Sequence, residues 1–473
     1  MTIDWKAEAA ARQDAFLADL QTLLSVPSVR DDAAATTDAP VGPGPKAALE
    51  AALAIAERDG FETTNIDNLV GYIEYAPEGA DDDHIALLGH VDVVGPGEGW
   101  ATDPFTPVIE DGKVIARGAS DDKGPTLAGY YALKTIRDLQ IPLKHRVRLI
   151  IGTDEESGWS DMDRYFEVEK QPLMGFSPDA EYPIINGEKG NVTFQINFTG
   201  DNSGDLTLVN FDAGIRLNMV PGVARAIVTG TPVDRIAVEF EKFLNANETL
   251  SGNAEVDEAG AIKLELHGKQ VHGAMPETGV NAGTYLANFL SQFNFGGNAA
   301  AFLGYLGGAL HDTPFADKLG IAFEDDVMGK LSLNIGIQKF VDGGESLINT
   351  NFRFPKGITP ADIEAGLIAN LNGWTVVPEQ QPHTQEPHYV SPDDALVKTL
   401  LNIYHEQTGL PAHDQVIGGG TYGRLMTRGV AFGALFPDSP DTMHQVNEFA
   451  LVDDLVRSIS IYAQAIAELG NLD

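Results

Sequence analysis

The sequence predicts an α/β fold in which one α/β domain is interrupted by an inserted α+β domain. Three observations predict it. Up to Ile185 helical and strand-like patterns alternate, which argues for a sheet covered by helices. A turn-rich break, Gly187-Glu188-Lys189-Gly190, then opens a stretch of alternating strand patterns mixed with helical ones. From about His383 the chain again reads as sheet-and-helix material. The segments expected from this are 1–186, 187–382 and 383–473, the first and last forming one domain. At 473 residues the chain is too long for a single ordinary core. Length alone also permits three consecutive domains, and the motifs below favour the insertion.

The elements follow in order. Trp5, Phe16, Leu20 and Leu23 recur at helical spacing among charged residues, so an amphipathic surface helix is expected, stopped before Pro27. A helix is read at Pro45–Asp59 and a strand at Leu69–Tyr75. The run Ile85-Ala86-Leu87-Leu88 within His84–Val94 reads as a buried strand. Thr126–Leu139 is helical and Val147–Ile151 is a short strand. In the insert, strands are expected at Asn191–Phe198, Ala224–Thr229 and Ile262–His267, and a helix at Thr284–Phe293. Asp393–Gly409 is helical.

Composition narrows the functional classes. The chain carries 31 basic and 69 acidic residues, a formal charge of −38. Nucleic-acid binding needs clustered Lys and Arg, so it is excluded, and an anionic membrane surface is disfavoured for the same reason. With no cysteine, disulfides, thiolate metal sites and cysteine nucleophiles are removed together, which fits a reducing compartment. The charged N-terminus is not that of a signal peptide, and no run of about 18 apolar residues occurs. A cytoplasmic protein is expected.

Five segments carry chemistry. Gly89-His90-Val91-Asp92 places an imidazole at a strand end with a carboxylate two residues on, able to fix the ring's tautomer. Arg117-Gly118-Ala119-Ser120-Asp121-Asp122-Lys123-Gly124 is a polar loop before a helix. Aspartates suit such a helix start, but a carboxylate can also bridge two cations ~3.5–4 Å apart. Asp154-Glu155-Glu156 follows a strand, and three adjacent acids there repel one another unless cations neutralise them. Ser177-Pro178-Asp179 and Met443-His444-Gln445-Val446-Asn447-Glu448 complete the set. A lone Asp or His in such a segment is more often a cap or a surface group, so the value of these segments lies in their combination.

In order and spacing these segments resemble the M20 metallopeptidase family, and within it the PepV-like dipeptidase branch, over nearly the whole chain. The resemblance implies a catalytic domain with a zinc-peptidase-type mixed sheet and an inserted lid domain long enough to hold two lid units. It implies two divalent cations, zinc in the first instance, though carboxylate-rich sites also accept Mn²⁺ or Co²⁺. One would be held by His90, Asp121 and Asp179. The other would be held by Asp121, Glu156 and His444, with Asp121 bridging and a cis peptide after it. Asp92 would support His90, and Glu155 would be the general base. In the insert, His272 (within Gly268–Glu277) would stabilise the oxyanion. Asn218, Arg353 and the Gly-rich run with Gly419, Gly420 and Thr421 would meet the substrate. Arg353 and the glycine amides suit its carboxylate, and Asp122 or a neighbouring acid suits its ammonium group. Such an insert, supplying everything from one chain, implies a monomer.

The expected activity is hydrolysis of unblocked dipeptides. Another M20 amidohydrolase, a deacylase of N-acyl amino acids or a carboxypeptidase, would share the metal chemistry and differ in its pocket. A non-catalytic peptide-binding homologue would have lost a ligand or the base, and neither position is lost. No G-x-S-x-G elbow and no H-E-x-x-H helix is present.

Overall fold

The computed structural model describes residues 3–231, 233–371, 376–382 and 384–472. The chain divides into two compact units: Met1–Gly187 with Tyr389–Val416 and Gly420–Asp473, and Glu188–His388 with Ile417–Gly419. The expected boundary residue His383 lies outside the described residues, and the division runs at His388/Tyr389.

In the first unit, β1 (Glu62–Ile66) and β2 (Val70–Tyr75) form a hairpin at one edge of a six-stranded sheet. Next to β2 lies β4 (Arg146–Gly152), antiparallel to it, and then β3 (His84–His90) and β5 (Met174–Ser177), both parallel to β4's direction. The short strand Gly429–Ala431 closes the far edge, parallel to β5. All seven residues of β3 are buried, as its continuous apolar run demands of a central parallel strand. Helices pack on this sheet, notably Lys123–Asp138 against Val452–Leu469. Their apolar faces join one core with Leu87, Leu149 and Phe176.

The expected N-terminal helix is two helices, Trp5–Ala10 and Gln13–Leu24. The Arg12 guanidinium takes the Glu8 carbonyl at 2.8 Å, the acceptor Arg12's own amide would need to continue the first helix. That amide turns to Ala9 instead, and the helix breaks.

The second unit is built on a ten-stranded sheet. Its strands are β6 (Gly190–Asn197), β7 (Leu206–Ala213), β8 (Val223–Gly230), β9 (Ser251–Val256), β10 (Ile262–His267), β11 (Ser332–Val341), β12 (Leu347–Phe354) and β13 (Pro378–Gln380). They run in the order β9-β10-β8-β7-β11-β12-β6-β13, with two further short strands beside β7. The order is symmetric about the β7–β11 pair. On one side hairpin β7–β8 leads through helix Val233–Ala246 to edge strand β9, and on the other β11–β12 leads through Pro360–Ala369 to edge strand β13. Two similar hairpin–helix–edge-strand patterns therefore share one sheet. Val192, Phe194 and Ile196 alternate into the core of this unit while Thr193 and Gln195 face away.

Candidate metal centre

Three of the five expected ligands sit at the carboxyl ends of parallel strands. His90 ends β3, Glu156 lies four residues beyond β4, and Asp179 lies two beyond β5. Such strand ends are where open α/β sheets gather ligand-binding groups, because loops leaving neighbouring parallel strands converge there. Asp121 precedes helix Lys123–Asp138, and His444 lies in the turn before strand Phe449–Leu451.

The five residues form two groups that share Asp121: His90, Asp121 and Asp179, and Asp121, Glu156 and His444. The two oxygens of Asp121 are divided between them. His90 Nε2 stands 3.1 Å from Oδ1, and His444 Nε2 stands 2.8 Å from Oδ2. Asp179 Oδ2 lies 3.7 Å from His90 Nε2, and Glu156 Oε1 lies 3.1 Å from His444 Nε2. The peptide bond Asp121–Asp122 is cis.

The donor set fits divalent cations. His90 Nδ1 lies 3.0 Å from the Asp92 carbonyl oxygen, an acceptor, so the neutral ring carries its proton on Nδ1 and turns the Nε2 lone pair towards Asp121 and Asp179. Among the described residues that buried Nε2 has no hydrogen-bond partner. The electrostatics point the same way. Burial and the neighbouring Asp121 push the Glu156 carboxyl up to about 7, against the opposing pull of His444. Burial and Asp121 likewise push Asp179 up to about 6. Burial would lower the His90 pKa, but Asp121, Asp179 and Asp92 raise it well above the ordinary value. Asp121 and Glu156 raise that of His444 to about 11. Without cations, the histidines must carry the positive charge that this cluster of acids requires.

Glu155 is only partly exposed. Burial, then Asp179 and Glu156, raise its pKa well above the ordinary carboxylate value despite His90. Asp92 touches His90 through its carbonyl and also, at 3.3 Å, through Oδ1. Its carboxylate has a second task that the sequence did not reveal: it accepts the backbone N–H groups of Glu155 at 3.2 Å and Glu156 at 3.1 Å. One aspartate thus ties the His90 strand end to the loop bearing both glutamates. The third acid of the run, Asp154, is turned away, ion-paired with Arg30 and capping the next helix at Ser160. That explains how three adjacent acids are tolerated.

The expectation that Asp122 engages a substrate ammonium is corrected. Its carboxyl is fully buried, accepting from the His90 amide at 3.2 Å and from Thr126 Oγ1 at 2.7 Å. It anchors the loop from behind.

Glu448 closes the His444 segment, and nothing in the sequence assigns it a task. The structure buries it completely and surrounds its carboxylate with Arg117 and the amides of Gly118 (3.2 Å), Ser120 (2.8 Å) and Asp121 (3.1 Å). The segment that presents His444 therefore also grips the loop that presents Asp121. No local sequence signal announces this, since the partners lie more than 320 residues apart.

The second unit holds Asn218 and His272 on paired segments. Gly273 N–H donates to the Asn218 carbonyl at 2.7 Å, Val220 N–H to the Val271 carbonyl at 2.9 Å, and Met219 bridges to His272. Asn334 Nδ2 braces the first segment through the carbonyls of Leu217 (2.7 Å) and Met219 (3.1 Å). Both Asn218 and His272 are exposed. Arg353 lies on β12, opposite Asn191 of β6 and Ser332 of β11. The division between the units falls between Gly419 and Gly420, and Thr421, buried, caps the short turn of helix that follows by accepting the Gly423 N–H. No helix among the described residues is long and apolar enough to cross a membrane.

Comparison with known proteins agrees with this architecture. The family model described as peptidase family M20/M25/M40 matches residues 86–468. A "Putative dipeptidase" of Staphylococcus epidermidis is 42% identical over 98% of this chain and 99% of its own length. Another of Staphylococcus aureus (strain USA300) is 43% identical with the same coverage. Two solved structures share the fold at low identity. Human carnosine dipeptidase 1 gives a TM-score of 0.56 at 15% identity, covering 99% of both chains. The Saccharomyces cerevisiae dipeptidase Dug1p gives 0.58 at 13% identity, covering 98% of both. On the family match and the identity over nearly its full length, this chain belongs to peptidase family M20/M25/M40.

Proposed function

We propose that the protein is a cytoplasmic, monomeric dipeptidase that holds two divalent cations, zinc in the first instance, and hydrolyses unblocked dipeptides. One observation carries the reading: the two oxygens of a single carboxylate, Asp121, face two different histidines, each completed by a further acid. A carboxylate so shared is the donor that a pair of cations requires. The names of the relatives support the choice of short peptides, and the cysteine-free sequence suits a reducing compartment.

His90 and Asp179 would hold one cation, Glu156 and His444 the other, and Asp121 both. When bound, such cations supply Lewis acidity that polarises water and the scissile carbonyl. Glu155 is left to move the proton. It takes one from the attacking water and delivers it to the departing amine, a role typically worth 10²–10⁴-fold. Its backbone is fixed by Asp92, so the carboxylate is delivered by the same residue that orients His90. His272 would donate a hydrogen bond to the developing oxyanion, and Asn218, Arg353, Gly419, Gly420 and Thr421 would bind substrate. For these the support is the likeness of their motifs and the pairing of the Asn218 and His272 segments.

The test is a substrate panel on metal-reconstituted protein, run beside Glu155→Gln. Dipeptides should be cleaved in preference to tripeptides and N-acyl amino acids. The variant should keep its metal and lose at least about a hundredfold in kcat. Cleavage of blocked substrates without dipeptides would transfer the chain to the deacylase reading. Activity within tenfold of the parent in the variant would remove Glu155 from the chemistry.

A further inference from the structure

Tyr422 follows the glycine run and is fully buried, yet nothing in the proposed chemistry uses it. Its hydroxyl donates to Asp161 Oδ2. That same oxygen accepts the backbone N–H groups of Thr153 at 2.6 Å and Asp154 at 2.8 Å, the two residues immediately before Glu155. One buried carboxylate oxygen thus collects three donors. Two fix the start of the glutamate-bearing loop, and the third comes from a segment 261 residues away.

The Tyr422 ring makes two further contacts. It meets the Trp159 ring edge-on at 5.5 Å, and Trp159 Nε1 donates to the Glu155 carbonyl at 2.7 Å. It also meets the His90 ring edge-on at 6.3 Å. The local sequence makes room for this arrangement at Gly152. A Cβ there would stand 2.4 Å from both Asp161 Oδ2 and the Tyr422 hydroxyl, closer than atoms can approach. A side chain at the end of β4 would therefore have to displace Asp161 or Tyr422.

From this geometry we propose that Tyr422 is a positioning residue for Glu155, acting through Asp161 on the amides before it and through Trp159 on its carbonyl. The inference rests on the reading of Glu155 as the proton carrier. Tyr422 does not reach the reacting atoms. It holds the backbone on both sides of Glu155, so that the carboxylate is presented at one place. A displacement of about 1 Å at a reacting group can cost a hundredfold in rate. Loss of one of several restraints should cost less.

Tyr422→Phe keeps the ring and removes the donor. The expected result is a fall of about tenfold in kcat with KM within twofold of the parent and both metal equivalents retained. In the metal-free protein, hydrogen exchange should accelerate in peptides spanning 153–159 and stay unchanged in those spanning 116–123. Trp159→Phe, which removes the donor to the Glu155 carbonyl, should act in the same direction and serves if the first variant does not fold. Unchanged kcat, a fall explained by lost metal, or unchanged exchange at 153–159 overturns the proposal. The exchange readout does not depend on catalysis. If Glu155→Gln proves active while exchange changes as expected, the base assignment fails and the restraint on the loop stands.

Discussion

The two ligand groups that share Asp121 are built from different materials. In the first, His90 is fully buried at the end of a central strand, and Asp179 follows the neighbouring strand. In the second, His444 has half of its side chain exposed and sits in a turn with left-handed backbone, φ +62°, four residues before Glu448. Strand ends are positioned by the sheet whether or not a cation is bound. A turn must be positioned by its own few hydrogen bonds. The first group is therefore preorganised and the second is assembled, although their donors are alike.

That difference should appear in metal binding. Asp121→Ala removes the only residue common to both groups, so it should abolish binding of both equivalents and lower activity by more than about a thousandfold. His444→Ala and His90→Ala then separate the groups. With cobalt or zinc titrated calorimetrically into metal-free protein, the parent should show a tighter and a weaker step. His444→Ala should delete the weaker and keep the tighter; His90→Ala should delete the tighter. Equal steps in the parent, or loss of the tighter step on removing His444, would show that burial does not rank the groups.

A smaller effect is expected at Glu448. Glu448→Gln keeps the shape but replaces one acceptor oxygen by an amide that must face Arg117 or a backbone N–H. Both Asp121 and the His444 turn lean on this carboxylate, but His90 and Asp179 do not. The weaker metal step should therefore lose about tenfold in affinity and the tighter step less, within the range typical of residues that orient ligands. Equal losses in both steps would mean that Glu448 serves Asp121 alone.

The same contrast explains what could be read from the sequence. The placement of His90 is legible because Ile85–Leu88 marks a buried strand that ends on it, and that of Asp179 because it follows another apolar run, but local pattern makes neither of them a ligand. All five ligand assignments rest on the ordered motifs, which carry more information than their local surroundings. The contacts of Glu448 and Tyr422 are not legible, because their partners lie hundreds of residues away. Of the acids offered for the substrate ammonium, Asp122 faces inward, and adjacent acids in a loop give no hint which does. Strand β12 escaped pattern reading for a related reason. It is buried on both faces with Asn349, Thr350 and Asn351 in its middle, so neither a clean alternation nor an apolar run marks it. The α/β alternation of the first unit is legible although Glu62–Ile66, Ser160–Val168, Met174–Ser177 and Val452–Leu469 are not among the elements read. In the second unit the pattern misses β7, β9, β11, β12 and β13 and the helices Val233–Ala246 and Pro360–Ala369.

The strand that makes the first group rigid also carries a liability at its other end. His84 opens β3, is buried, and its Nε2 has no hydrogen-bond partner among the described residues. Burial, helped by the nearby Arg148 cation, lowers its pKa to about 4 against Glu74, Glu169 and Asp83. The folded protein thus resists protonation at His84 while the unfolded chain accepts a proton near pH 6.5. Stability from this residue is complete above that pH and is lost as pH falls towards 4, by on the order of 3 kcal/mol. Because His84 and His90 share one strand, this acid sensitivity should fall on the first group. In metal-free protein Glu156 and Asp179, both raised in the folded state, gain stability as pH falls, so the sign of the parent's net change is not the test. Between pH 7 and 4.5 the His84→Phe variant, which cannot titrate there, should shift towards greater stability relative to the parent. The substitution also fills the site with an apolar ring, so the slope of the melting temperature against pH is the measure, not its value at pH 7. Identical slopes would remove His84 as the cause and leave β3 as firm in acid as its burial suggests.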